Sequence, residues 1–115
     1  MKVMTKVIVL GLLVAGRVSA ECPEPDGSVQ IPSGAAATRD EMVAAQKAVK
    51  AYDIAVRAYS ACLEREEQSR ATSGTDRARL AEEYSRRNDI EVDKLEKLAD
   101  KFNAELRAFK ARNTD

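Results

Sequence analysis

Cys22 and Cys62 are the residues of this chain best placed to do chemistry. They are the only two cysteines in 115 residues, and an even pair in an exported chain points to one disulfide. Histidine is absent, which removes the commonest acid–base group near neutral pH and the commonest transition-metal ligand. Asp89, Glu91 and Asp93 alternate in a way that could begin a calcium loop. No glycine supplies the turn that such a loop needs, and the run falls inside a helical pattern, where alternate positions splay apart. Glu64-Arg65-Glu66-Glu67 reads as a solvated helix face near a hairpin tip. Glu66 with Arg70, Glu82 with Arg86, Glu83 with Arg87 and Asp53 with Arg57 all fit i,i+4 ion pairing. Tyr52, Tyr59, Tyr84, Phe102 and Phe109 stand at helical spacing and read as core, not as a ligand-binding row. No catalytic, cofactor-binding or metal-binding residues are expected, no cofactor, and no enzymatic activity.

The address comes from the first twenty residues. Lys2 and Lys6 precede the apolar run Val7 to Ala15, and Val18-Ser19-Ala20 ends on a small residue. A charged start, a short apolar stretch and an A-x-A-like site make a secretory signal peptide over residues 1–20, cut between Ala20 and Glu21. The run is shorter than the ~20 apolar residues that span a bilayer. A lipoprotein reading of Cys22 is disfavoured by Glu21, which stands where a small residue is needed. The expected location is periplasmic or secreted. Cleavage removes Lys2, Lys6 and Arg17 and no acidic residue, so a chain balanced at 19 charges of each sign becomes net −3. The pairs Arg86-Arg87 and Arg77/Arg79 sit among acidic neighbours and form no basic stripe, which argues against nucleic acid.

Three pieces follow the signal. Residues 21–37 hold all three prolines, Pro23, Pro25 and Pro32, with Gly27 and Gly34, and read as an extended arm with Val29 and Ile31 on one side. Residues 38–115 read as an antiparallel helical hairpin: a helix over about 38–70, a turn over about 71–75 and a helix over about 76–112. Thr38 and Glu41 form the S/T-x-x-E capping box of the first helix. Ser73-Gly74 is the turn signal, and Ser73 or Thr75 would cap the second helix.

Both helices carry coiled-coil-like seams. Met42, Ala45, Val49, Tyr52, Val56, Tyr59 and Leu63 recur in steps of three and four, beside a stripe of small residues from Ala44 to Cys62. Ala81, Tyr84, Asn88, Val92, Leu95, Ala99, Phe102, Leu106 and Phe109 average a step of 3.5. A short turn makes the helices antiparallel. A turn centred near Ser73 sets Val49 against Leu98, Tyr52 against Leu95, Leu63 against Tyr84, and Ala44 and Ala45 against Phe102. It also sets Tyr59 against Asn88, where a hydroxyl–amide bond would fix the register.

Cys62 lies ~36 Å along the first helix from Thr38, and an extended arm from Thr38 reaches ~50 Å at most. The arm can therefore meet Cys62 only by folding back along the hairpin, which lays Val29 and Ile31 into the groove between the helices. A bond from either cysteine to another chain is the rival arrangement. The fit of the arm favours the intramolecular one.

The strings Cys22-Pro23, Ala37-Thr38-x-x-Glu41-Met42-x-x-Ala45-Gln46-Lys47-Ala48-Val49-Lys50, Ala61-Cys62-Leu63 and Phe102-Asn103-x-x-Leu106-Arg107-x-Phe109-Lys110 resemble small exported helical-hairpin proteins of Gram-negative bacteria with a cysteine pair. The resemblance spans nearly the whole mature chain. It implies a periplasmic address and a disulfide, and it implies no activity. The expected function is thus a structural or protein-interaction module of the cell envelope, acting on an unidentified protein partner or on a second copy. The alternative is a binder of the membrane surface, lipid or lipopolysaccharide. Acidic charge and alanine-rich faces disfavour it.

Overall fold

The computed structural model describes residues 22–71 and 74–112, the side chain of Thr75 excepted. The expected signal peptide, the Ala20/Glu21 cut and the caps expected of Ser73 and Thr75 lie outside the described residues.

Helix α1 runs Arg39–Arg70. Thr38 precedes it in extended conformation, and its hydroxyl accepts the Glu41 N–H at 3.1 Å, which satisfies one of the donors that a helix start leaves open. Asp40 and Glu41 place negative charge at the positive end of the helix dipole. The helix ends where Ala71 turns to extended backbone and its N–H closes onto the Glu67 carbonyl. Helix α2 runs Gly74–Arg112. It starts two residues before the expected position, with the turn-signal glycine as its first residue. That position needs no intrahelical partner for its N–H, and no described glycine has positive φ.

The result is an all-α, two-helix hairpin with the two helices in mutual contact. Its core divides into two clusters. Near the tip, Cys22, Tyr59, Leu63, Leu80 and Tyr84 pack together. Near the open end, Ala37, Met42, Ala45 and Phe102 pack together, with Ile31, Val49, Leu106 and Phe109 against them. Leu63 thus shares a cluster with Tyr84, and Ala45 shares one with Phe102, as antiparallel register requires. No helix among the described residues is long and apolar enough to cross a membrane.

The arm starts at Cys22, bonded to Cys62, and runs back toward the open end. Gly27 lies against the Tyr52 ring, and Gly34 lies against the α2 backbone at Glu105 and Phe109. A turn over residues 34–36 then feeds α1, with the Ala36 and Ala37 N–H groups donating to the Ser33 carbonyl. Arg112, at the far end of α2, donates to the Ala35 carbonyl at 2.8 Å and to the Ala37 carbonyl at 2.7 Å. Ile31 packs on the core from this arm, while Val29 is half-buried beside Ala44 and Ala48.

Candidate functional site

The disulfide end is where the reactive and charged side chains of the hairpin converge. Cys22 and Cys62 are bonded, with Cα atoms 5.7 Å apart, and lie 40 positions apart in sequence. The sequence pattern produces this meeting in two steps. Proline-rich backbone keeps residues 22–33 out of a helix, and the small residues along α1 let that backbone lie close. In the chain-entropy account, closing a loop of this length stabilises the fold by ~4 kcal/mol. A disulfide is consistent with an oxidising, extracytoplasmic location.

Glu66 sits one helical turn beyond Cys62 and is 7% exposed. Its Oε2 lies 3.4 Å from Cys22 Sγ, and its Oε1 lies 3.8 Å from Arg70 Nη1. The sulfur of a disulfide carries no hydrogen, so the contact at Oε2 is not a hydrogen bond while the cysteines are joined. Arg70 Nη1 also donates to the Tyr84 hydroxyl at 2.9 Å. The Arg87 guanidinium lies over Tyr84 at 5.2 Å and near Tyr59 at 6.0 Å from the ring centroids, within the range of cation–π attraction. Glu83 lies 4.0 Å from Arg79, not paired with Arg87 as its spacing suggested; the two rings hold Arg87 instead.

A second buried polar pair crosses the middle of the hairpin. The Tyr52 hydroxyl donates to Glu91 Oε2 at 3.0 Å, and Lys94 lies 3.3 Å from Glu91 Oε1. Burial, then the hydrogen bond to Glu91, then the negative charge of that carboxylate push the Tyr52 hydroxyl up to about 12.

The expected Tyr59–Asn88 bond is not formed. Asn88 Oδ1 accepts from Ser60 Oγ, and the Tyr59 ring turns into the tip cluster. Neighbouring residues of a helix point ~100° apart; Asn88 and Ser60 share the half-buried edge of the interface, whereas Tyr59 faces its centre. The α2 seam shifts for the same reason. Leu80, at 2% exposure, holds the buried position, and Ala81 is exposed. Val92 is only half-buried, while Glu91 is 3% exposed.

Sequence reasoning placed Glu66 on a solvated face and gave Glu91 no buried role, and both are buried. A signal was present. Glu66 continues the α1 seam three residues after Leu63, and Glu91 stands seven after Tyr84. Asp89 and Asp93 are exposed, and Asp93 pairs with Lys97 at 2.8 Å, so the three alternating carboxylates point different ways. The pair Asp53–Arg57 forms at 3.1 Å on the surface.

No protein-family model, no curated protein and no solved structure matches this chain.

Proposed function

We propose that the mature chain is an exported, non-enzymatic structural or protein-interaction module of the cell envelope, a reading motivated by its two helical seams, its capping box and its folded-back arm. The observation that carries this reading is how the polar side chains along the helix–helix interface are used. Tyr52 bonds Glu91, Ser60 bonds Asn88, and Arg70 bonds Tyr84. Each of these contacts joins α1 to α2, so the polar chemistry fixes the rotation and register of the two helices. A disulfide then pins the arm to the same frame. Such an object presents fixed helical surfaces, which suits recognition of another protein or of a second copy. Its net charge of −3 after signal removal opposes approach to anionic lipid.

The test is made on the full chain expressed in a Gram-negative host. Osmotic-shock release of a protein that begins at Glu21 and lacks free thiols supports export and pairing. Retention in the cytoplasm with residues 1–20 attached overturns the reading. Flotation of the purified protein with vesicles of phospholipid and lipopolysaccharide overturns it in favour of membrane-surface binding. Sedimentation away from those vesicles supports it.

A further inference from the structure

The placement of Glu66 against the disulfide suits the reduced protein better than the oxidised one. The Glu66 side chain is 6% exposed, and burying a carboxylate oxygen away from donors is costly. Arg70 approaches Oε1 at 3.8 Å. Oε2 faces Cys22 Sγ at 3.4 Å, and as half of a disulfide that sulfur has no proton to give. As a thiol it does, and at this distance the Cys22 S–H becomes a donor to the carboxylate. Reduction thus completes the pairing of Glu66, and oxidation removes a donor from it. The geometry points to the Cys22–Cys62 bond as a thiol–disulfide exchange site for an external dithiol, with Glu66 as the positioning residue that holds the reduced Cys22.

The two sulfurs are not equivalent. Cys22 is 4% exposed and is covered by Glu66, which blocks the approach of an external thiolate. Cys62 is half-buried, and Arg65, an exposed cation, stands three residues further along α1. The incoming thiolate therefore attacks Cys62 Sγ. A sulfur–sulfur bond forms there, the Cys22–Cys62 bond breaks, and its electron pair leaves on Cys22 Sγ, which takes a proton from water and donates it toward Glu66. The second thiolate of the dithiol then attacks the dithiol's other sulfur, the one bonded to Cys62, so that the dithiol closes to a disulfide and the electron pair leaves on Cys62 Sγ, which is protonated in turn. The dithiol loses two electrons and two protons, and the cysteine pair gains both. Reduction removes the covalent tie between the arm and α1, while Glu66 faces Cys22, Ile31 packs on the core and Arg112 holds the carbonyls of Ala35 and Ala37.

This inference goes beyond the interaction-module reading and does not depend on it. Purified mature protein is equilibrated in graded ratios of reduced and oxidised dithiothreitol, quenched in acid, alkylated and weighed. Glu66→Leu removes the acceptor and is expected to shift the equilibrium toward the disulfide by about three- to tenfold. Glu66→Gln keeps an acceptor oxygen and is expected to stay within about twofold of the parent. It also removes the charge beside the leaving sulfur, so its reduction is faster. An unchanged equilibrium in a helical Glu66→Leu protein overturns the proposal. A second readout needs no variant. The parent protein is treated with glutathione, trapped with maleimide and mapped by peptide mass. Glutathione on Cys62 with maleimide on Cys22 supports the proposal, and the reverse pattern overturns it.

Discussion

The Tyr52 hydroxyl and the Glu91 carboxylate meet at 3.0 Å across the helix interface, each residue 3% exposed and 39 positions apart in sequence. A buried carboxylate is held only by what it bonds, so neither partner is separable from the other. Tyr52→Phe removes the donor and leaves Glu91 with Lys94 alone. The expected loss is ~1–3 kcal/mol, the penalty of an under-paired buried group. Glu91→Leu in the Tyr52→Phe background is expected to recover part of that loss, since no polar group is then left unpaired. Urea unfolding of both single variants and the double variant measures the coupling, and additive single effects would sink this account.

The same pair sets an alkaline limit. An unfolded tyrosine ionises near pH 10, whereas folded Tyr52 is pushed up to about 12, first by burial and then by Glu91. Between these values the unfolded chain binds fewer protons than the folded one, so stability falls as pH rises. The contribution is intact below about pH 10 and is lost by about pH 12, for a total of ~2–3 kcal/mol. Unfolding free energy followed from pH 9 to 11 is expected to decline less steeply in Tyr52→Phe than in the parent. Parallel slopes would place the titration elsewhere.

Helix periodicity carried most of this fold in plain view, because a long run without Pro or Gly and with three-four spacing has few alternatives. The arm was legible through proline chemistry, and its return path through the reach needed to join Cys22 to Cys62. The two buried glutamates were legible only as positions on the seams, since composition assigns charged residues to water. Their burial depends on what faces them: Tyr52 of the other helix for Glu91, and Cys22 of the arm with Arg70 one turn along the same helix for Glu66. Rotation of α2 was equally hidden. A mean step of 3.5 locates an apolar band, but the band is wide enough to hold both Leu80 and Ala81, and only packing against the disulfide cluster selects Leu80.

Gly34 is where the arm meets α2 most closely. A Cβ there would stand 1.8 Å from the Glu105 carbonyl oxygen and 2.9 Å from the Phe109 nitrogen. Both are helix backbone and cannot swing aside, so Gly34→Ala must push the arm off the helix. At Gly27 the nearest atoms belong to the Tyr52 side chain, at 3.0 Å and beyond, so a shift of a few tenths of an ångström makes room. Gly34→Ala is therefore expected to cost ~2–4 kcal/mol, in the range of overpacking with lost neighbouring contacts. Gly27→Ala is expected to cost under about 1 kcal/mol. Thermal melts followed by circular dichroism rank the two, and hydrogen exchange is expected to quicken over residues 34–38 in the first only. A reversed ranking would mean that the arm is not seated against Glu105.

The choice between Leu80 and Ala81 offers a sharper test of how α2 is rotated. Leu80 is 2% exposed and packs with Cys22, Tyr59, Leu63 and Tyr84 around the cross-link. Leu80→Ala opens a cavity that the disulfide keeps from collapsing, and its expected cost is ~2–5 kcal/mol. Ala81 is exposed on the adjoining face, so Ala81→Ser is expected to change stability by less than about 0.5 kcal/mol. Cavity formation beside the disulfide also loosens Tyr84, whose hydroxyl holds Arg70, which in turn faces Glu66. Leu80→Ala is accordingly expected to speed reduction of the Cys22–Cys62 bond by dithiothreitol, while Ala81→Ser leaves the rate unchanged. Equal costs at the two positions would instead place Ala81 on the inner line of α2, as its spacing alone suggested.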